Sequence, residues 1–187
     1  MKTLITVLCA VATAGLGAQT ATSVKISEGA MKNMVREVRH ELVMMPNYGV
    51  FDNLAFRIEG RTVILLGQVT RPILKSEAQN RVKGIEGVEQ VVNQIEVLPL
   101  SPNDDRIRIG VARAIFNHSV LQRYALQAVP PIHIIVKNGN VTLDGVVANA
   151  MDRNVANIQA NGVAGAFSVT NNLRIEGNDD RRPNKQN

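Results

Sequence analysis

The side chains suited to acid–base or metal chemistry are few in this chain. His40, His118 and His133 are its three histidines, and Cys9 is its one cysteine. No histidine is followed two, three or four residues on by a histidine or carboxylate that would share its face, the spacing that a bound zinc uses. Asp52, Asp104, Asp105, Asp144 and Asp152 include no pair spaced for general acid–base work. Asp104 and Asp105 instead suit the first turn of a helix, where the macrodipole favours negative charge. No Gly-x-Ser-x-Gly elbow and no phosphate-binding loop occurs. These residues point to a non-enzymatic protein that needs neither metal nor other cofactor.

Two further groupings invite a binding role. Gly84-Ile85-Glu86-Gly87 and Gly162-Val163-Ala164-Gly165 have the spacing of a loop that clamps nucleic-acid backbone. That loop joins two helices and commonly holds a basic residue. Here a strand follows at once and the inner pairs are Ile-Glu and Val-Ala, so a helix stop fits far better. The second grouping is basic and apolar. Arg106, Arg108 and Arg113 precede the segment Asn117 to Pro131, which carries Leu121, Arg123, Tyr124, Leu126 and Val129. Such a surface could meet lipid headgroups or a protein partner. The simpler account is that these apolar residues pack the two halves of the chain together, since small domains need the burial.

The elements that must position these residues come in two copies. Displaced by 78 positions, residues 56–97 align with 134–175 without a gap and share nine of 42 residues, where unrelated segments would share roughly two or three. Val63, Leu65, Gly67 and Val69 meet Val141, Leu143, Gly145 and Val147; Ala78, Gly84, Gly87, Val91 and Asn93 meet Ala156, Gly162, Gly165, Val169 and Asn171. Each copy reads helix, hairpin, helix, strand. Met31, Met34, Val35, Val38 and Leu42 follow the spacing of an amphipathic helix. Ile107, Val111, Ala114 and Ile115 do the same in the second copy, with Asn103 or Asp104 as the cap. Gly60 turns the first hairpin and Asn138-Gly139 the second. Leu74, Ala78 and Val82 mark one face of the next helix, and Met151 to Ala160 forms its counterpart. Alternating apolar residues in Val91–Val97 and Val169–Ile175 then give a closing strand.

A helix between the hairpin and the last strand makes a crossover, so each sheet mixes antiparallel and parallel pairing. The fold class is α+β: two tandem αββαβ domains, each a three-stranded mixed sheet covered on one face by two helices. The domains span 27–98 and 103–176. Pro99 to Asn103 is a short, stiff connector that keeps them close.

The ends read differently. Lys2, an apolar run from Leu4 to Ala14 and small residues to Ala21 have the pattern of a secretory signal peptide over 1–21. Large Leu8 before Cys9, and the few residues upstream, argue against an acylated cysteine. Cleavage would remove the cysteine and with it any disulfide. Residues 177–187 are polar and read as a disordered tail. The formal net charge is +5, but it is spread thinly over both copies. With no Trp and only six Phe plus Tyr, nucleic-acid binding lacks both a basic stripe and stacking residues.

The motif in each copy, an apolar pair, then Gly-x-Val-x-Leu-x-Gly-x-Val, a helix and Gly-Val-x-x-Val-x-Asn-x-Leu, resembles the BON domain of bacterial envelope proteins. Val63, Leu65, Gly67, Val69, Ala78, Gly87, Val88, Val91, Asn93 and Ile95 carry the likeness in the first copy. Gly139, Val141, Leu143, Gly145, Val147, Ala156, Gly165, Val169, Asn171 and Leu173 carry it in the second. Arg61 replaces the hairpin glycine in the first copy, and Ala166 replaces a valine in the second. The resemblance implies a non-enzymatic periplasmic or secreted protein of envelope maintenance or stress, associated with phospholipid surfaces or with envelope proteins. The motif positions are scaffold and name no binding residue. Together with the basic-apolar region, the resemblance leads to two expectations. The first is peripheral contact with a phospholipid membrane surface through Arg106, Arg108, Arg113, Leu121, Arg123, Tyr124 and Leu126. The alternative is a protein-interaction or chaperone-like module.

Overall fold

A computed structural model describes residues 27–127 and 130–177. The expected signal peptide over 1–21, and the expected tail beyond Gly177, lie outside the described residues. In the first domain Ser27 accepts the Ala30 N–H at 3.2 Å and opens α1 (Glu28–Val43), the bond of a helix N-cap. Met34, Val38 and Leu42 are its buried stripe. β1 (Asn53–Glu59) pairs antiparallel with β2 (Thr62–Val69) through a turn at Gly60, whose φ is +61°. Pro72 begins α2 (Pro72–Lys83), where its missing N–H costs nothing. β3 (Gln90–Asn93) and β4 (Glu96–Val97) both run parallel to β2. The expected single closing strand is therefore interrupted, but only slightly: the Gln94 N–H still donates to Leu65 O at 2.9 Å.

The second domain repeats the path with α3 (Pro102–Phe116), β5 (Ile132–Lys137), β6 (Asn140–Val147), α4 (Ala150–Asn161) and an unbroken β7 (Ser168–Ile175). β5 and β6 are antiparallel, β6 and β7 parallel. A 3₁₀ turn over Gln122–Leu126 lies between α3 and β5. The cap of α3 differs from expectation. Ser101 takes the Asp104 N–H at 3.2 Å because Pro102 occupies the first helical position. The Asp104 carboxylate is thereby free to accept the hairpin-turn N–H groups of Asn138 (2.9 Å) and Gly139 (2.8 Å).

Residues identical in the two copies make identical bonds. The Asn93 side chain donates to Lys75 O at 2.8 Å and accepts the Ile95 N–H at 3.2 Å. Asn171 donates to Arg153 O at 2.9 Å and accepts the Leu173 N–H at 3.1 Å. Each asparagine ties the crossover helix to the closing strand. Gly67 (φ +110°) and Gly145 (φ +130°) are equally matched: a Cβ there would lie 2.0 Å from Asn53 O and 1.9 Å from Pro131 O. Only glycine fits so close an approach of two strands. Val63, Leu65 and Val69, like Val141, Leu143 and Val147, point at the helices and are almost wholly buried. Burial of such a side chain is worth about 1.5–3 kcal/mol.

The two domains meet along β5. Val50 and Phe51, from the loop between α1 and β1, pack against the core of the second domain. The Ile134 N–H donates to Val50 O at 2.8 Å, so the loop occupies part of the free edge of β5. Lys137 forms an ion pair with Glu96 across the joint.

Candidate surface-binding site

The basic-apolar segment of the second domain divides between inside and outside. Leu121 is fully buried and Tyr124 is 6% exposed; both belong to the core of their own domain. Neither a membrane contact nor a contact between the copies fits that placement, and Val50 and Phe51 make the joint instead. The reason lies in α4, where Asp152 stands at the position that Leu74 fills in the first domain. Asp152 is 1% exposed and a buried carboxylate needs partners. Tyr124 donates its O–H to Asp152 at 2.5 Å and accepts the Ala148 N–H at 2.8 Å. Arg123 pairs with the same carboxylate, with its guanidinium carbon 5.1 Å from the Tyr124 ring centroid. These bonds, that to Tyr124 first and that to Asp152 second, push the Arg123 pKa above its ordinary value.

Arg108 is likewise turned inward. It is 4% exposed, pairs with Asp105 and donates to Val136 O at 2.7 Å, tying α3 to β5. Arg106, Arg113 and Arg123 are exposed, as is Leu126 at 84%. Val129 lies outside the described residues. Of the seven expected contact residues, four therefore face solvent and three hold the second domain together.

A surface not anticipated from the sequence lies on the α3–α4 side of this domain. Ile109 on α3, Ile158 on α4 and Phe167 between α4 and β7 are exposed, and large apolar residues left in water are candidates for a contact surface. Gly110 lets the α4 end approach closely, since a Cβ on it would lie 2.9 Å from Val163 Cγ1. Arg106 sits against Gly165, and Phe167 beside the Gly139 turn. The matched positions in the first domain are charged or polar: Arg36 for Ile109, Glu37 for Gly110, Asn80 for Ile158 and Glu89 for Phe167. Arg61 and Glu89 form an ion pair where the second domain sets Gly139 beside Phe167. Glu37, where the second domain has glycine, lines an open groove of about 930 Å³ beside α1 and α2. Arg81 spans that groove, bonded to Glu41 at 3.1 Å and Glu77 at 3.3 Å. The signal was present in the sequence, in the exposed helix positions of the two copies set side by side.

Among the described residues no cluster of three or more His, Cys, Asp or Glu could hold a metal, and no helix is long and apolar enough to cross a membrane. The buried carboxylates among the described residues are engaged: Asp52 accepts the Thr70 N–H at 2.7 Å and hydroxyl at 2.8 Å, and Asp104 and Asp152 bond as above.

The BON domain profile matches residues 36–99 and again 110–177. The chain belongs to the BON domain family. Each match begins inside the first helix of one αββαβ unit and runs past its closing strand, and the family is one found in envelope proteins, known for phospholipid binding and generally without enzymatic activity. No curated protein matches this chain. Among solved structures it is similar to CdsD, a structural protein of the type III secretion system of Chlamydia trachomatis, at 13% identity over 75% of this chain and 91% of that one, with a TM-score of 0.30. A second structure, the C-terminal domain of CdsD, matches at 14% identity over 76% of this chain and 97% of that one, with the same TM-score. So distant a likeness bears on neither site nor partner.

Proposed function

We propose that this BON protein is an exported, non-enzymatic binding protein of the cell envelope that rests the α3–α4 face of its second domain on phospholipid surfaces. One observation carries the reading: Ile109, Ile158 and Phe167 stand exposed on that face, where the first domain has Arg36, Asn80 and Glu89. Arg106 and Arg113 are exposed on the same helix as Ile109. Apolar side chains entering the acyl boundary, with arginines at headgroup level, are the usual means of peripheral attachment. The arginines also favour anionic lipid, by about 1 kcal/mol per residue near the surface. Export rests on the signal-like pattern of the first residues, and a periplasmic or secreted location follows from it.

Co-sedimentation of the chain with vesicles of zwitterionic and of mixed anionic phospholipid tests the reading. Binding at low salt that strengthens with anionic lipid is the supporting result. Absence of binding to both, with suppression of client-protein aggregation in lipid-free buffer, would replace it with the chaperone-like alternative.

A further inference from the structure

The joint between the domains holds a histidine that has no part in the proposed lipid contact. His133 lies on the helix-free face of β5, in register with Asp144 of β6. Its ring packs against that of Tyr48 in the first domain, centroid to centroid 5.6 Å at 30°. One residue along, the Ile134 N–H bonds to Val50 O. The imidazole is therefore enclosed by the 48–52 loop that joins the two domains. Its Nδ1 is buried and has no hydrogen-bond partner among the described residues. A neutral ring can leave one nitrogen unprotonated at small cost, whereas an imidazolium carries a donor on both nitrogens. A second N–H at Nδ1 would then be buried where the Gly49 and Asp52 backbone supports it only in part.

The charged and titratable groups around the ring are few. Tyr48 faces it from the loop, and its own pKa is pushed up to about 12, chiefly by burial, so it stays neutral. Asp144 on β6 and Asp52 on the loop favour a charged ring, but Asp52 directs its carboxylate to Thr70 and the Gly49 N–H. Burial outweighs them and lowers the His133 pKa below its ordinary value, despite the support of the Gly49 and Asp52 backbone. A histidine whose pKa is depressed in the closed joint stabilises closure above the pKa of the free ring, and that contribution fades as pH falls through it.

We propose that the contact between the two domains is a proton-sensitive hinge, closed over a neutral His133 and loosened when the ring is protonated. The two BON domains remain folded through this change, because each has its own core. What is released is the packing of Tyr48, Val50 and Phe51 on β5, with the Ile134–Val50 hydrogen bond and the Lys137–Glu96 ion pair that accompany it.

Spin labels on cysteines replacing exposed Arg57 and Asn172, in a Cys9→Ser background, read the distance between the domains. The distribution should be narrow at pH 7.5 and broaden or split by pH 5, while circular dichroism stays constant. His133→Gln, which cannot be protonated, should give one distribution at both pH values; His133→Phe, which keeps the ring against Tyr48, is the second variant should the glutamine disturb the joint. An NMR titration should place the His133 pKa below the ordinary value of a free histidine. A distribution in the unmodified chain that does not change with pH, a pH response that survives in both variants, or a His133 pKa at or above that of a free histidine would each overturn the proposal.

Discussion

The two BON domains share a backbone path and differ in what they show to their surroundings. On the face formed by its two helices the first domain is charged, with Arg36, Glu37, Glu41, Arg81 and Glu86 around an open groove. The second has Ile109, Gly110, Ala114, Gln159 and Ala164 at the same places, and Gly110 lets Val163 approach closely. Gly84 and Gly87 apart, which also line the groove, the identical residues lie at turns, in strand and helix cores and at the two asparagine clamps. Duplication of the scaffold with divergence of one face turns two similar folds into two different surfaces. Function is to be sought in the divergent positions, because the shared ones are occupied with folding.

The largest test of that division is at a shared position. Gly67→Ala and Gly145→Ala each force a Cβ into a backbone carbonyl at positive φ, and each should destabilise its own domain by about 3 kcal/mol or more. Denaturant unfolding, followed by a probe in each domain, reads the two losses. A severe loss in one copy with a mild one in the other would break the equivalence of the scaffolds. A smaller effect is expected at a divergent but internal position. Tyr124→Phe removes the O–H that serves Asp152 and Ala148 and should cost the second domain about 2 kcal/mol, leaving the first unchanged. Equal melting of Tyr124→Phe and the unmodified chain would contradict the assignment of Tyr124 to the core. Smallest of the three, Asn93→Ala and Asn171→Ala should each cost about 1–2 kcal/mol, and by similar amounts.

Much of this architecture was legible in the sequence. The spacing of Met34, Val38 and Leu42, the alternation along the closing strands and the Asn138-Gly139 turn are local signals, and local signals set element type. The repeat itself fixed the αββαβ path twice. The contact residues were less legible because burial is a tertiary property. Leu121 and Tyr124 are apolar residues in a loop, and a loop sequence alone does not tell a surface from a strap over a core. The inward placement of Tyr124 follows from Asp152 on a distant helix, which needs the tyrosine as partner. Arg108 is another such case: its stem and head are enclosed because Val136 O and Asp105 accept from it. The α3–α4 face could have been found by extending the comparison of the copies to their exposed helix positions.

The difference between the two helical faces is tested most directly by exchanging it. A chain with Ile109→Arg, Ile158→Asn and Phe167→Glu carries the residues of the first domain on the second. Its affinity for mixed anionic phospholipid vesicles, measured by co-sedimentation beside the unmodified chain, should fall by about a hundredfold or more, since each buried apolar side chain is worth about 1.5–3 kcal/mol. Thermal unfolding should stay nearly the same, because all three side chains are exposed. Vesicle binding that is undiminished in the folded triple variant would contradict the assignment of this face.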